Sequence, residues 1–258
     1  MGNSINHKVA VLGGGSFGTV IANIIAANGH AVSLWVRNDV LADEINASGQ
    51  NAAYLPGYKL DSNVTVSADL EGSVQDCGCV IFAVPSSAFR QIARQISGYL
   101  KKGTTVISTA KGIENATFLL PSQVLQEELS QCEIGVISGP NIAKEIADGQ
   151  ITATVVASDN DAFCSQVQEL LVSSNFRVYT NHDQFGVELA GALKNIYAIV
   201  SGITDAIGAG QNTKSVVLTR SLAEMNRFAS ELGANPMTFL GLSGIGDLYV
   251  TCTSPLSR

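Results

Sequence analysis

The sequence predicts an α/β fold, with a doubly wound, mostly parallel sheet followed by an all-helical second domain. Three observations predict it. Short apolar runs alternate with helix-like segments through the first two thirds of the chain, as in repeated βαβ units. These runs are continuously apolar, which is typical of strands buried on both faces. After about residue 180 the β-like runs stop and long helical patterns follow.

The elements follow one another in a regular order. Residues 8–12 form a strand that ends at Gly13, residues 17–28 a helix, and residues 31–36 the next strand. Further strands are predicted at 64–66, 79–84, 104–108, 134–138 and 152–157, and further helices near 39–48, 86–98, 121–131 and 160–173. From 184 to 232 we predict two long helices, separated near 207–211 by two glycines. The predicted domains are therefore 1–185 and 186–258.

The turn after the first strand carries a glycine pattern typical of dinucleotide binding. Residues 13–18 (GGGSFG) fit G-x-G-x-x-G, directly after a predicted strand and at the start of a predicted helix. Gly13 would make the tight turn, Gly15 would let a pyrophosphate approach, and Gly18 would let helix and strand pack closely. The helix start would offer N–H groups and a positive dipole end to the phosphates. A Rossmann-like dinucleotide domain is thus predicted for residues 1–185, and a glycine-rich turn without a ligand is the alternative.

The residues after the second and fourth strands bear on the cofactor. An acidic residue at the end of the second strand would bind the ribose 2′-hydroxyl of NAD, but Arg37 stands there. A cation at this point suits a 2′-phosphate, so NADP is favoured over NAD, although Asp39 leaves NAD open. Pro85 and Ser86 follow the fourth strand and are expected to line the cofactor, because ligands bind outside the carboxyl ends of such strands.

Lys194 lies inside the apolar helical run ELAGALKNIYAIVSG, in a chain with only 15 lysines and arginines. Burial disfavours the ammonium form, so it lowers a lysine pKa toward neutrality and makes the group a usable proton donor or acceptor. The alternative is a lysine whose stem packs against apolar neighbours while its head reaches water. Lys194 is therefore a candidate for proton transfer.

Three further segments combine polar residues with glycines. Lys111 follows a predicted strand, and SGPN places Asn141 as a predicted helix N-cap after another strand. The segment ending PLSR carries Asp247, Thr251 and Arg258, a combination that suits recognition of a small anion by a guanidinium. An ordinary helix cap and a surface turn are the alternatives.

Composition narrows the classes of function. The net charge is −7, so nucleic acid and anionic membranes are not expected partners. The five cysteines show no disulfide or zinc spacing, so we expect reduced thiols, no metal and a cytoplasmic protein. No signal peptide begins the sequence, and charged residues interrupt its most apolar stretch, which argues against membrane insertion.

Together, these motifs resemble the bacterial NAD(P)-dependent sn-glycerol-3-phosphate dehydrogenases along the whole chain. The segments that carry the resemblance are GGGSFGT, VIFAVPS, STAKGIE, SGPNIAKEIADG, ELAGALKNIYAIVSGI and GLSGIGDLYVTCTSPLSR. The resemblance implies proton transfer by Lys194 and cofactor contacts from Ser16, Phe17, Arg37, Lys111, Ala143 and Arg258. It implies substrate contacts from Lys111, Gly139, Asn141, Lys194, Asp247, Ser257 and Arg258. Family members usually have serine at the position of Asn141, and they continue beyond Arg258, so the second domain is expected to be incomplete.

The expected reaction is the reversible reduction of dihydroxyacetone phosphate to sn-glycerol 3-phosphate, which feeds glycerophospholipid synthesis. Asp247 is expected to fix the head of Lys194 by charge pairing, which raises the lysine pKa and opposes burial. Two alternatives remain at this point: a related 2-hydroxyacid or ketopantoate-type reductase, and a non-catalytic nucleotide-binding protein. A homodimer is one assembly compatible with the sequence.

Overall fold

A computed structural model describes residues 8–256 and contains one eight-stranded sheet. The strands are β1 (Lys8–Leu12), β2 (Val32–Trp35), β3 (Val64–Ser67), β4 (Cys77–Phe82), β5 (Thr105–Ser108), β6 (Glu133–Ser138), β7 (Thr152–Ala157) and β8 (Phe176–Asn181). Their order is β3-β2-β1-β4-β5-β6-β7-β8. Strands β1 to β6 are parallel, β7 is antiparallel to β6, and β8 is parallel to β7. The predicted doubly wound, mostly parallel sheet is confirmed.

Helices cover both faces of the sheet and then continue beyond it. They are α1 (Ser16–Ala27), α2 (Asp39–Ser48), α3 (Leu70–Val74), α4 (Phe89–Ile96), α5 (Pro121–Glu128), α6 (Ala143–Ala147), α7 (Asp161–Leu171), α8 (Gln184–Ala206), α9 (Gln211–Glu231) and α10 (Asp247–Thr253). The two long helices predicted after residue 184 are present, and the chain turns between them at Gly208, whose φ is +72°. In the described residues every helix is too short or too polar to cross a membrane.

The sequence analysis did not predict the short helices α3 and α10, and among the strands it missed β8. Its six residues, FRVYTN, alternate between buried and exposed side chains at their start, and Arg177 points outward. The strand lies at the edge of the sheet and pairs only with β7 among the described strands. An edge strand with one face exposed to solvent lacks the continuous apolar run by which the other strands were predicted.

The core lies on both sides of the sheet. Val9 and Val11 of β1 pack on one face, with α1 and α7. Ala10 and Leu12 of the same strand pack on the other face, with α4 and α5. All four residues are fully buried. Burial on both faces explains why the inner strands have uninterrupted apolar sequences. It also fixes the edge of the sheet at which their carboxyl ends lie.

Helix α8 joins the sheet to the helical region. Near its start, Val187 packs against β6 and β7, while Leu189 and Ala190 belong to a separate cluster with α9 and α10. The predicted boundary at 185/186 falls within the first turn of this helix. One continuous helix therefore carries side chains from the sheet to the helical cluster, and the domain boundary stays a prediction.

Candidate active site

A cleft of about 980 Å³ opens where the carboxyl ends of the parallel strands meet the helical region. On the sheet side it is lined by Phe17 after β1, by Pro85 and Ser86 after β4, and by Lys111 after β5. On the opposite side it is lined by Lys194 of α8 and by Asp247 and Thr251 of α10. The fold thus brings residues of five separate sequence segments to one opening, four of which contribute polar side chains, as expected for the carboxyl edge of an open α/β sheet.

The glycine-rich turn has the geometry that each glycine was predicted to provide. Gly13 has a φ of +117°, and an added Cβ would lie 2.5 Å from the Ala83 carbonyl oxygen. A Cβ on Gly18 would lie 1.9 Å from the Gly13 carbonyl oxygen, so helix and strand pack there without room for a side chain. A Cβ on Gly15 would meet no atom within 4 Å. Gly15 is therefore the glycine that faces open space, on the side from which a ligand can approach.

The start of α1 leaves its first backbone N–H groups without a side-chain cap. Its N-cap residue is Gly15, which offers no side chain to cap the first N–H groups of the helix. Uncapped N–H groups and the positive end of the helix dipole favour a phosphate in that space. The open side of Gly15 and the uncapped helix start together fit the pyrophosphate of a dinucleotide.

Asn51 supports the glycine-rich turn from a distant part of the chain. It is completely buried, and its amide donates hydrogen bonds to the Gly14 carbonyl oxygen at 2.7 Å and to Thr19 Oγ1 at 2.8 Å. Ser16, a predicted cofactor residue, donates its hydroxyl to the Tyr54 carbonyl oxygen at 2.7 Å. Sequence reasoning missed Asn51, because nothing in the local pattern of a loop residue signals a partner 37 positions away.

Two glycine variants are expected to separate folding from ligand binding. Gly18→Ala places a methyl against backbone and should destabilise the protein by about 1–3 kcal/mol, as over-packing does. Gly15→Ala meets open space at a φ of −72°, so stability should stay unchanged while the affinity for NAD(P)H falls roughly tenfold, the equivalent of about 1.4 kcal/mol. Urea unfolding and nicotinamide fluorescence titration measure the two effects. Equal loss of stability in both variants would contradict the assignment of Gly18 to helix packing and of Gly15 to ligand binding.

Asp247 lies between two lysines at the base of the cleft. Its Oδ1 is 2.5 Å from Lys194 Nζ and its Oδ2 is 2.6 Å from Lys111 Nζ. Lys194 Nζ also donates to Thr251 Oγ1 at 2.6 Å, and Lys111 Nζ donates to the Gly139 carbonyl oxygen at 3.0 Å. Asp247 is 1% exposed and Lys194 is 6% exposed. The structure therefore holds two cations on one buried carboxylate, and both cations line the cleft.

The electrostatic balance at Lys194 follows from this arrangement. Burial and the neighbouring Lys111 charge lower the pKa of Lys194, the Asp247 carboxylate raises it, and the net result is a pKa of about 8. The first two causes exceed the third, so the ammonium of Lys194 releases its proton more readily than an exposed lysine. A group with a pKa near neutrality is suited to general acid and base catalysis.

Local structure explains how Asp247 reaches this position. A π-helical turn, Leu242–Gly246, precedes it, and a Cβ on Gly244 would lie 2.2 Å from the Phe239 carbonyl oxygen. Gly244 thus permits a turn that a larger residue would block, and π turns are frequent at functional sites. Thr251 comes one helical turn after Asp247, so both side chains face Lys194. Beside Lys194, Asn195 donates its amide to the Lys111 carbonyl oxygen at 3.3 Å, a contact that the sequence analysis did not anticipate.

The structure places the other predicted site residues, Asn141, Ala143 and Arg37, in different surroundings. The prediction of Asn141 as a helix N-cap is wrong: Ile142 precedes α6, and the Asn141 amide donates to Thr154 Oγ1 at 2.8 Å. Asn141 and Ala143 line the cleft, and in the described part of the chain Asn141 Oδ1 has no hydrogen-bond partner. Arg37 is exposed after β2, next to Asn38, which caps α2. The predicted substrate residues Ser257 and Arg258 lie outside the described residues.

Comparisons with known proteins agree with the geometry of the cleft. The family model for the N-terminus of NAD-dependent glycerol-3-phosphate dehydrogenase matches residues 8–164, and the model for the C-terminus matches residues 183–258. Over 258 residues the chain is 54% identical to a glycerol-3-phosphate dehydrogenase [NAD(P)+] of Teredinibacter turnerae, covering all of this chain and 75% of that protein. The crystal structure of a glycerol-3-phosphate dehydrogenase from Coxiella burnetii has a TM-score of 0.94 and 38% identity, over 98% of this chain and 78% of that one. The structure of glycerol-3-phosphate dehydrogenase from Saccharomyces cerevisiae has a TM-score of 0.85 and 30% identity, over 96% of this chain and 77% of that one.

Proposed function

The chain belongs to the NAD-dependent glycerol-3-phosphate dehydrogenase family and reduces dihydroxyacetone phosphate to sn-glycerol 3-phosphate with NAD(P)H; we propose that Lys194 supplies the proton in this reaction. The observation that carries the proposal is the buried ammonium of Lys194, held by Asp247 and facing the cleft. A cation fixed in this way is prepared to bind the oxygen of a ketone.

The proposed chemistry at Lys194 is general acid catalysis. When bound, NAD(P)H would provide the hydride for the carbonyl carbon of the ketone. Lys194 donates a hydrogen bond to the carbonyl oxygen and passes its proton to that oxygen as negative charge develops there. Asp247 and Thr251 hold the ammonium at a fixed point, which keeps it aligned with the reacting oxygen. In the oxidation of glycerol 3-phosphate the neutral amine accepts the same proton.

The substrate is proposed to lie between Lys111 and the turn after β6. Lys111 carries a second positive charge into the cleft, where it would attract the phosphorylated ketone despite the net charge of −7 of the whole chain. Asn141 Oδ1 lacks a partner in residues 8–256 and lines the cleft, so it is proposed to accept the hydroxyl hydrogen of the substrate. Gly139 keeps Lys111 in place through its carbonyl group. Ser257 and Arg258 are proposed phosphate contacts on the family resemblance alone.

The cofactor is proposed to extend from Gly15 into the cleft past Phe17. Support comes from the open side of Gly15 and from the uncapped start of α1, which suit the pyrophosphate. Gly13 and Gly18 shape that turn, Ser16 follows Gly15 directly, and Pro85, Ser86 and Ala143 line the cleft that also contains the two lysines. This placement would bring the nicotinamide beside Lys194.

An assay that follows the loss of NAD(P)H absorbance with different ketones tests the activity. We expect turnover with dihydroxyacetone phosphate and little with ketopantoate or with 2-oxo acids, which lack its phosphate. Faster turnover with the oxo acids would favour the 2-hydroxyacid or ketopantoate alternative. Tight NAD(P)H binding without turnover of any ketone would instead favour a nucleotide-binding protein.

Arg37→Ala is expected to weaken the binding of NADPH more than that of NADH. The guanidinium of Arg37 is exposed after β2 and is proposed to bind the 2′-phosphate, and a charge-assisted hydrogen bond contributes about 1.5–3 kcal/mol, or roughly 10- to 100-fold in affinity. Fluorescence titration with each cofactor measures the ratio. Arg177→Ala, at an exposed arginine on β8, is the control and should change neither affinity. Equal losses for NADPH and NADH would remove Arg37 from the preference for NADP.

We propose the cytoplasm as the compartment. The five free cysteines support it, because reduced thiols are usual in that environment. A homodimer stays a prediction, which light scattering of the purified protein tests.

A further inference from the structure

Glu188 is a buried carboxylate outside the cleft. It lies on α8, six positions before Lys194, and is 3% exposed. In residues 8–256 none of the ion pairs includes it. Burying a carboxylate without a cation costs free energy, so an apolar residue would serve the stability of this core better.

Three hydrogen bonds hold the carboxylate in place. Glu188 Oε1 accepts from the Ser122 backbone N–H at 3.0 Å and from the Ser108 hydroxyl at 3.4 Å. Glu188 Oε2 accepts from the Ser122 hydroxyl. Ser122 lies in the first turn of α5, where the helix dipole also favours a negative charge. Burial raises the pKa of Glu188, the hydrogen bonds from Ser122 and Ser108 oppose that rise, and the net result is a pKa of about 7.

These hydrogen bonds connect the two elements that carry the lysines of the cleft, β5 before Lys111 and α8 with Lys194. Ser108 is the last residue of β5, three positions before Lys111, while Glu188 and Lys194 share α8. Between them on α8, Gly191 faces Lys111: an added Cβ would lie 3.3 Å from Lys111 Cγ and 3.1 Å from Ser138 Oγ. Helix α8 thus packs closely against the stem of Lys111. A small displacement of α8 along its axis would change the distances from both lysines to Asp247.

We propose that Glu188 is a positioning residue, which fixes α8 against β5 and α5 so that Lys194 and Lys111 meet on Asp247. The proposal rests on the proposed function of Lys194. Glu188 itself touches neither substrate nor cofactor. Its contribution reaches the reaction through the placement of the Lys194 ammonium, because catalysis is sensitive to shifts on the order of 1 Å.

The test compares Glu188→Gln, Glu188→Leu and Ser122→Ala with the unaltered protein. We expect Glu188→Leu to lower kcat about tenfold or more and Glu188→Gln to lower it less, since the amide oxygen still accepts one hydrogen bond. Ser122→Ala keeps the backbone donor and should give a small loss in the same direction. The affinity for NAD(P)H should stay unchanged in all three variants. Val167→Ala, a core change in α7 remote from the cleft, is the control for lost stability and should keep kcat.

A double-mutant cycle with Lys194→Ala identifies the route of the effect. If Glu188 acts through Lys194, Glu188→Leu should lower kcat little further once Lys194 is absent, because the two losses are then not additive. Additive losses, or unaltered kcat in folded Glu188→Gln and Ser122→Ala, would overturn the proposal. Should Glu188→Leu fail to fold, the cycle is run with Ser122→Ala. Absence of turnover in the unaltered protein, or unchanged kcat in Lys194→Ala, would instead count against the proposed function.

Discussion

Replacing Lys194 by alanine is expected to lower kcat for dihydroxyacetone phosphate reduction by about 10²-fold or more, the usual contribution of a general acid. The variant loses the ammonium that faces the cleft and the donor to Asp247 Oδ1. Asp247 keeps its ion pair with Lys111, so the fold around the site should persist. NAD(P)H affinity should change little, because the proposed pyrophosphate contacts are at the glycine-rich turn and the start of α1 rather than at Lys194. Steady-state kinetics and fluorescence titration give the two quantities.

Two controls make the Lys194 result specific. Lys194→Met keeps most of the buried apolar stem and should lose kcat as severely as alanine, since only the ammonium matters for proton transfer. Lys101→Ala removes an exposed lysine paired with Asp76 on the surface, and it should leave kcat unchanged. If the purified Lys194→Met protein turns over at the normal rate, proton donation by Lys194 is excluded.

The pKa of Lys194 sets the expected pH dependence of the unaltered protein. Reduction requires the protonated amine, and burial together with the Lys111 charge lowers its pKa to about 8 against the opposing effect of Asp247. Below that pH the ammonium is populated and kcat for reduction should be level. As pH rises through about 8 the ammonium is lost and kcat should fall, whereas the oxidation of glycerol 3-phosphate should rise over the same range because it needs the neutral amine. Parallel pH profiles for the two directions would contradict this assignment.

Local patterns in the sequence predicted those parts of the site that depend on nearby residues. The predicted roles of Gly13, Gly15 and Gly18 follow from spacing within one strand–turn–helix unit. The positive φ of Gly13 and the close approach at Gly18 agree with two of these roles, and the contact of Gly15 with a pyrophosphate stays a prediction. Lys194 could be recognised because a cation is exceptional among apolar helical residues. The roles of Lys111 and Asp247, by contrast, were predicted from the family resemblance, since no local rule indicates that residues 136 positions apart form an ion pair.

The contacts that escaped prediction depend on tertiary structure. Asn51 and Glu188 each have partners many positions away, and a polar residue in a loop or a helix looks the same in sequence whether it is solvated or buried. For Asn141 the spacing favoured a helix cap, but β7 offers Thr154 as a closer partner. A local propensity was overridden in that case by packing between strands.

Asp247→Asn is expected to have the second large effect, through the charge balance rather than through the acid itself. Without the carboxylate, the ammonium groups of Lys111 and Lys194 repel each other in a buried site, and breaking a buried pair costs about 3–5 kcal/mol. Part of that cost is relieved when Lys194 releases its proton, so its pKa should fall well below the value of about 8. At pH 7 kcat for reduction should therefore fall by about 10²-fold or more, because little of the acid remains.

The direction of the pH shift separates this explanation from simple misfolding. If Asp247 acts by holding the proton on Lys194, lowering the pH should restore part of the activity of Asp247→Asn, and the alkaline decline should begin at a lower pH than in the unaltered protein. Asp205→Asn is the matched control, since it removes a carboxylate from an exposed pair with Lys214 and should move neither kcat nor the pH profile. A misfolded site would lose activity equally at every pH. An alkaline decline left at its original pH in Asp247→Asn would show that the carboxylate does not govern the charge of Lys194, and the proton donor would then have to be sought elsewhere in the cleft.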